Sequence, residues 1–195
     1  MDAFDYALNK TLGLEDGYAD VPGDRGGRTK YGITEKTFHT ALERGIISGV
    51  ADIRDLTIDQ AKVIYKVLYW LPLRLQDVKD IALAAEIFDT AVNSGTNKAA
   101  LIAQIALDYL GETLDIDGNL GPATLELINK WCRKDPRALM VSLNGIQFIH
   151  FCAIVDTGLI DNIQARVRST PDQQQFARGW TKRIQEYRGA GTISA

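Results

Sequence analysis

The chain has little of what most directly marks a function. Its only cysteines, Cys132 and Cys152, lie in apolar helical patterns with no CxxC and no histidine at ligand spacing. They read as buried free thiols and exclude both a disulfide framework and a zinc site. The two histidines, His39 and His150, are far apart in sequence, so neither a catalytic metal nor a cofactor is expected. DIDGN at 115–119 starts like a calcium loop but has no later acidic ligand, and reads as a turn. No run approaches the ~20 apolar residues of a transmembrane helix. The N-terminus, MDAFDYALNK, is acidic and lacks the basic flank of a signal peptide, which gives the expectation of a chain with no route of its own out of the cytoplasm. A surplus of charge is missing too: 22 basic residues stand against 25 acidic, for a net −3, and nucleic acid is not an expected partner. There is no βαβ alternation, no short-period repeat and no low-complexity segment before the Gly-rich tail at 189–195.

What is present is 195 residues, 46% of them apolar and 24% charged, enough for a sizeable core in one or two compact units. The periodicity is helical almost throughout. Phe4, Ala7, Leu8, Thr11 and Leu12 predict a helix over 2–15, capped by Asp2 and ended near Gly17. Thr34 starts another to about Arg44. Thr57 with Gln60 forms a capping box for a helix to about Trp70, stopped by Pro72. Residues 79–93 form a largely apolar, central helix, and 96–110 the next. Pro122, Pro136 and Pro171 each sit at a first helical position. The fold class is therefore mainly α, with about eight helices and a small β-hairpin. Trp70, Trp131 and Trp180 are assigned to the core.

One stretch departs from this pattern. EDGYADVPGDRGGRTKYGIT, from Glu15 to Thr34, passes from a helix end into a polar, glycine-rich turn region that should form the short hairpin. In the last helical turn Glu15 would meet unpaired carbonyls, whose partial negative charge disfavours ionisation. A carboxyl group kept protonated near neutral pH is what glycosidic bond cleavage requires, because the leaving oxygen must receive a proton. Asp24 and Thr29 follow in the turn region, flanked by Tyr18 and Tyr31 as candidate sugar-stacking rings.

This stretch resembles the EGGYxNxPxDxGGxTxxGIT motif near the N-terminus of glycoside hydrolase family 108, the bacterial and phage N-acetylmuramidases. Glu15, Gly17, Tyr18, Pro22, Asp24, Gly26, Gly27, Thr29, Gly32, Ile33 and Thr34 fall in register. Asp16 stands where the family usually has Gly, and Asp20 where it often has Asn. The resemblance continues in FDTAVNSG at 88–95 and in DGNLGPATL at 117–125, the latter similar to the family's C-terminal peptidoglycan-binding region. It weakens after about residue 157. A looser similarity, with the same Glu-to-Asp spacing, links the order Glu, Asp, Thr, Gly-Ile to lysozymes of T-even phages. It implies Glu15 as proton donor, Asp24 holding or activating a water and Thr29 positioning it.

The resemblance implies a lysozyme-like fold with a catalytic lobe at 1–93, a helical peptidoglycan-binding-like lobe at 94–188 and a tail at 189–195. It also implies hydrolysis of the β-1,4 bond between N-acetylmuramic acid and N-acetylglucosamine, with bacterial peptidoglycan as partner after release by another factor. Two rivals stand beside it. A lytic transglycosylase would cut the same bond with a single acid, and a noncatalytic wall-binding or secretion-related protein would use the groove without chemistry.

Glu86, Asp89 and Asn93 share one face of the central helix. Two readings stand: Asp89 and Asn93 line a saccharide cleft, or Asp89 is a buried anchor and Asn93 a helix-terminal residue. Lys130, Arg133, Lys134 and Arg137 likewise read as a solvated helix end or as a contact for anionic wall polymer.

Overall fold

The computed structural model describes residues 2–12, 17–19 and 28–155. Among these, seven α-helices surround one hydrophobic core, and a three-stranded antiparallel sheet lies at one edge. The helix predicted from Pro171 and the expected core position of Trp180 fall outside the described residues.

The first helix, α1 (Ala3–Leu12), buries Phe4, Ala7 and Leu8, and the Asp2 carboxylate accepts the Asp5 N–H at 2.7 Å as its cap. The strands are β1 (Tyr18–Ala19), β2 (Thr29–Lys30) and β3 (Ile33–Thr34). Between β2 and β3 the two-residue loop Tyr31-Gly32 has positive φ at both positions, 50° and 72°. That is the signature of a type I′ hairpin turn. Thr34 then caps α2 (Glu35–Glu43) by accepting the Thr37 N–H.

The capping box at Thr57 and Gln60 is present and starts α3 (Ile58–Tyr65). The predicted continuous helix to Trp70 is not α-helical throughout: Lys66–Trp70 forms a π-helical turn, with the Leu71 N–H bonded to the Lys66 carbonyl at 2.9 Å. The extra residue per turn has a packing reason. Ala61, Ile64 and Tyr65 mark the buried face of α3, and the wider turn brings the large Trp70 ring into the core as well, 2% exposed.

Everything converges on α4 (Ile81–Ser94), capped by Asp80 and packed by α1, α5 (Thr96–Tyr109), α7 (Pro136–Val155) and the π turn. Phe88 meets Phe4, Trp70 and Tyr65 edge to face at centroid separations of 5.9, 5.7 and 6.2 Å. The C-terminal half joins the same core. Gln147 on α7 donates to Thr90 Oγ1 at 3.0 Å, and Asn129 on α6 (Pro122–Lys134) donates to the Asp77 carbonyl at 2.9 Å while accepting the Lys79 N–H at 2.8 Å.

DIDGN is a turn organised from within. Asp117 accepts the Asn119 N–H, and the buried Gln104 on α5 donates to Asp117 and to the Asn119 carbonyl while accepting the Gly118 N–H. In the basic cluster, Lys130 pairs with Glu112 at 2.8 Å and Lys134 lies over the Trp131 ring, while Arg133 and Arg137 are exposed. Trp131 is core, 1% exposed, and its indole N–H donates to Glu112. Cys132 and Cys152 are both free and half-buried, less enclosed than expected. No helix among the described residues is long and apolar enough to cross a membrane.

Replacing Gln104 by Leu keeps the side-chain bulk but strands the Gly118 N–H, while the Asn119 carbonyl keeps its bond from the Gly121 N–H. The expected loss is about 1–2 kcal/mol of unfolding free energy by urea titration, since one stranded, half-buried donor costs at the lower end of roughly 1–3 kcal/mol. An unchanged midpoint would show that the turn holds itself.

Candidate functional site

A pocket of about 330 Å³ opens where α1, the sheet and the C-terminal end of α4 meet. Its walls come from Thr11, Gly17, Ala19, Thr29, Gly32, Tyr65, Val92 and Asn93. Two of the residues predicted from sequence, Thr29 and Asn93, are thus brought to one cavity from opposite ends of the catalytic-lobe sequence.

The sheet decides which of its side chains reach the pocket. Tyr18 is opposite Lys30, and Ala19 opposite Thr29. Opposed residues share a face and successive ones alternate. Gly17, Ala19 and Thr29 therefore face the cavity, while Tyr18 and Lys30 occupy the other side of the sheet. There Tyr18 is near enough to Arg54 to add to the rise in its pKa, which comes first from hydrogen bonding to Asp52. Tyr31 is half-buried against the core in its left-handed turn position, with the Lys30 ammonium 5.4 Å from its ring centroid.

Three features of the site carried no clear sequence signal. Tyr65 lines the pocket, and its hydroxyl donates to the Tyr31 carbonyl at 3.0 Å, pinning the strained turn. Burial drives its phenol pKa upward, so it stays protonated. Arg28, just before Thr29, is clamped by Glu35 through Nε at 3.2 Å and through Nη2, and by Asp52 through Nη1 at 3.3 Å. Arg28 in turn holds the Glu35 carboxyl below its ordinary range, and hydrogen bonds from Arg54 do the same for Asp52. This network fixes the strand that carries Thr29. Val92 supplies apolar wall beside Asn93.

On α4 the predicted polar stripe is real but divided. Glu86 is paired with Lys10 of α1 at 3.0 Å. Asp89 is half-buried behind the pocket residue Asn93, whose amide donates to the Asp89 carbonyl at 2.9 Å and to its carboxylate at 3.3 Å. Burial pushes the Asp89 carboxyl up, and Glu86 adds to this; Thr11, Lys10 and Asn93 work against it. Glu15 and Asp24 lie outside the described residues, as does the expectation that Glu15 occupies the last helical turn. Among the described residues no group of three or more His, Cys, Asp or Glu is placed to hold a metal ion.

A raised carboxyl pKa in the folded state gives stability that is full below the ordinary aspartate range and is lost as pH rises through the folded value. Asn at position 89 would still accept from Asn93 but would never ionise. The midpoint difference, Asp89→Asn minus wild type, should therefore grow by a few degrees between about pH 3.5 and pH 7 in thermal melts. A flat difference would show that the carboxyl is not strained by its surroundings.

Residues 8–95, which contain every described residue of the pocket lining, match the family model of glycosyl hydrolase 108. Residues 98–185 match that of a predicted peptidoglycan domain. Among solved structures, that of Brucella abortus SagA is similar over 95% of this chain and 91% of its own, at 26% identity and a TM-score of 0.59. Among curated protein sequences none matches. The two matched segments, a glycosyl hydrolase 108 segment followed by a predicted peptidoglycan domain, support a peptidoglycan-hydrolysing, lysozyme-like function.

Proposed function

We propose that the chain is an endolysin-type N-acetylmuramidase that hydrolyses the β-1,4 bond between N-acetylmuramic acid and N-acetylglucosamine. Glu15 is the general acid, Asp24 holds or activates the attacking water, and the Thr29 hydroxyl positions it. The observation that carries this reading is the pocket, which gathers Thr29 and Asn93 and borders the motif that supplies both carboxylates.

Chain connectivity adds support. Glu15 is two residues along the chain from Gly17, a pocket residue. The pocket combines a few fixed polar groups with apolar wall, as carbohydrate chemistry needs for orientation. Glu15 protonates the leaving sugar oxygen while the ring gains oxocarbenium character, and water attacks the anomeric carbon from the Asp24 side. The hydroxyl of Thr29 is held in place by the Arg28 clamp on one side and the type I′ turn on the other. The downstream peptidoglycan domain would keep the enzyme on its insoluble substrate between cleavages.

Glu15→Gln should abolish clearing of purified cell wall, with a loss of at least ~10² in rate, because Gln is nearly isosteric but cannot donate the proton. Near-wild-type turnover at an unchanged thermal midpoint would reject the assignment. Mass analysis of the wild-type products checks the reaction type: hydrolysis leaves reducing ends, and anhydro ends would instead identify a transglycosylase.

Asp24→Asn should reduce activity more than Thr29→Ser, since the first removes charge beside the reacting centre and the second keeps a hydroxyl. Full activity in both variants, measured in the same wall-clearing assay, would leave Glu15 acting without either partner.

A further inference from the structure

The pocket's chemistry can be read one atom further, at Asn93. This residue is exposed near the C-terminal end of α4, and its amide nitrogen is engaged twice, by the Asp89 backbone carbonyl and by the Asp89 carboxylate. A backbone carbonyl can only accept, so the nitrogen end of the amide is fixed toward the helix whatever the protonation state of Asp89. The end of the amide left for the pocket is Oδ1, an acceptor. Around it the cavity offers apolar surface from Val92, Ala19 and the ring of Tyr65, whose hydroxyl is turned to the Tyr31 carbonyl. At about 330 Å³ the cavity is at the small end of ligand sites, which run roughly 300–1,000 Å³. It suits a side group on one sugar rather than a length of glycan.

A fixed acceptor beside a small apolar wall fits a group that carries an N–H donor next to a methyl. We propose that this pocket is an acetamido subsite: Asn93 Oδ1 accepts the acetamide N–H, the methyl packs on Val92, Ala19 and Tyr65, and Asp89 is the positioning residue that sets the polarity of Asn93. The proposal rests on the reading of the chain as a peptidoglycan hydrolase and makes the pocket its determinant for 2-acetamido sugars. Glycan whose sugars lack the amide N–H would lose this contact.

The test uses the full chain carrying Glu15→Gln to prevent turnover, with affinities measured by calorimetry. The two probes are the β-1,4 trimer of N-acetylglucosamine and the same trimer with 2-O-acetyl esters replacing the amides, which keeps the methyl and removes the donor. The amide trimer should bind about tenfold tighter, the worth of one well-made hydrogen bond in a site built for it. Adding Asn93→Ala should erase that preference by weakening the amide trimer alone. Asp89→Ala removes the longer of the two bonds that hold the Asn93 amide and leaves the backbone carbonyl. It should therefore narrow the preference without erasing it, and Asp89→Asn, which still offers a side-chain acceptor, should restore it. Asn93 is exposed and alanine is a good helix former, so the variant should fold, as its thermal midpoint will show. No preference in the parent, no binding of either trimer, or equal weakening of both trimers by Asn93→Ala would overturn the subsite. Wall clearing by the chain with Glu15 intact is measured in parallel. Clearing with no amide preference rejects the subsite alone, whereas absence of clearing rejects the hydrolase reading itself.

Discussion

The burial of α4 is the constraint on which the rest of the structure depends. Leu83, Ala84, Ala85, Ile87, Phe88, Thr90 and Ala91 are all buried, so the helix is enclosed on nearly every side along most of its length. Phe88 ties Phe4, Tyr65 and Trp70 into one edge-to-face cluster and so fixes α1 and the π turn relative to each other. Toward its C-terminal end α4 leaves this enclosure, and there Val92 and Asn93 meet the sheet to make the pocket. The site is thus assembled where a core helix runs out to the surface.

That arrangement also explains the unusual backbone nearby. Tyr31 takes a left-handed conformation that costs a non-glycine residue energy, and the Tyr65 hydroxyl holds its carbonyl in place. Because Tyr65 is itself locked in the core, the turn beside Thr29 inherits its position from the packed interior. The Arg28 clamp does the same from the outer side, using ion pairs at a half-exposed surface.

Much of the helical framework was legible from sequence because it is written in local signals: the capping box at Thr57, the N-cap at Thr34, the prolines at 122 and 136, and the apolar run over α4. The π turn was not, since periodicity gives no sign of a shift made to bring one tryptophan inward. The candidate site was readable as a set of residue types but not as a geometry. Tyr18 and Thr29 both belong to the motif, yet the pleat puts them on opposite faces of a sheet with two-residue strands, and no composition argument sets that register. Tyr65 and Arg28 were missed because each acts through a long-range partner, Tyr31 and Asp52, that sequence distance conceals.

The core described above is continuous from Phe4 to Leu143, with the buried Gln147–Thr90 bond joining α7 to α4. Among the described residues, the beginning of the peptidoglycan domain is therefore packed on the hydrolase domain and not strung from it on a tether. Such a body holds the pocket and the first helices of the second matched segment in one fixed relative orientation. It also limits what recombination can do with the two halves. A foreign module joined after residue 95 would leave bare the faces of α4 that α5 and α7 now cover.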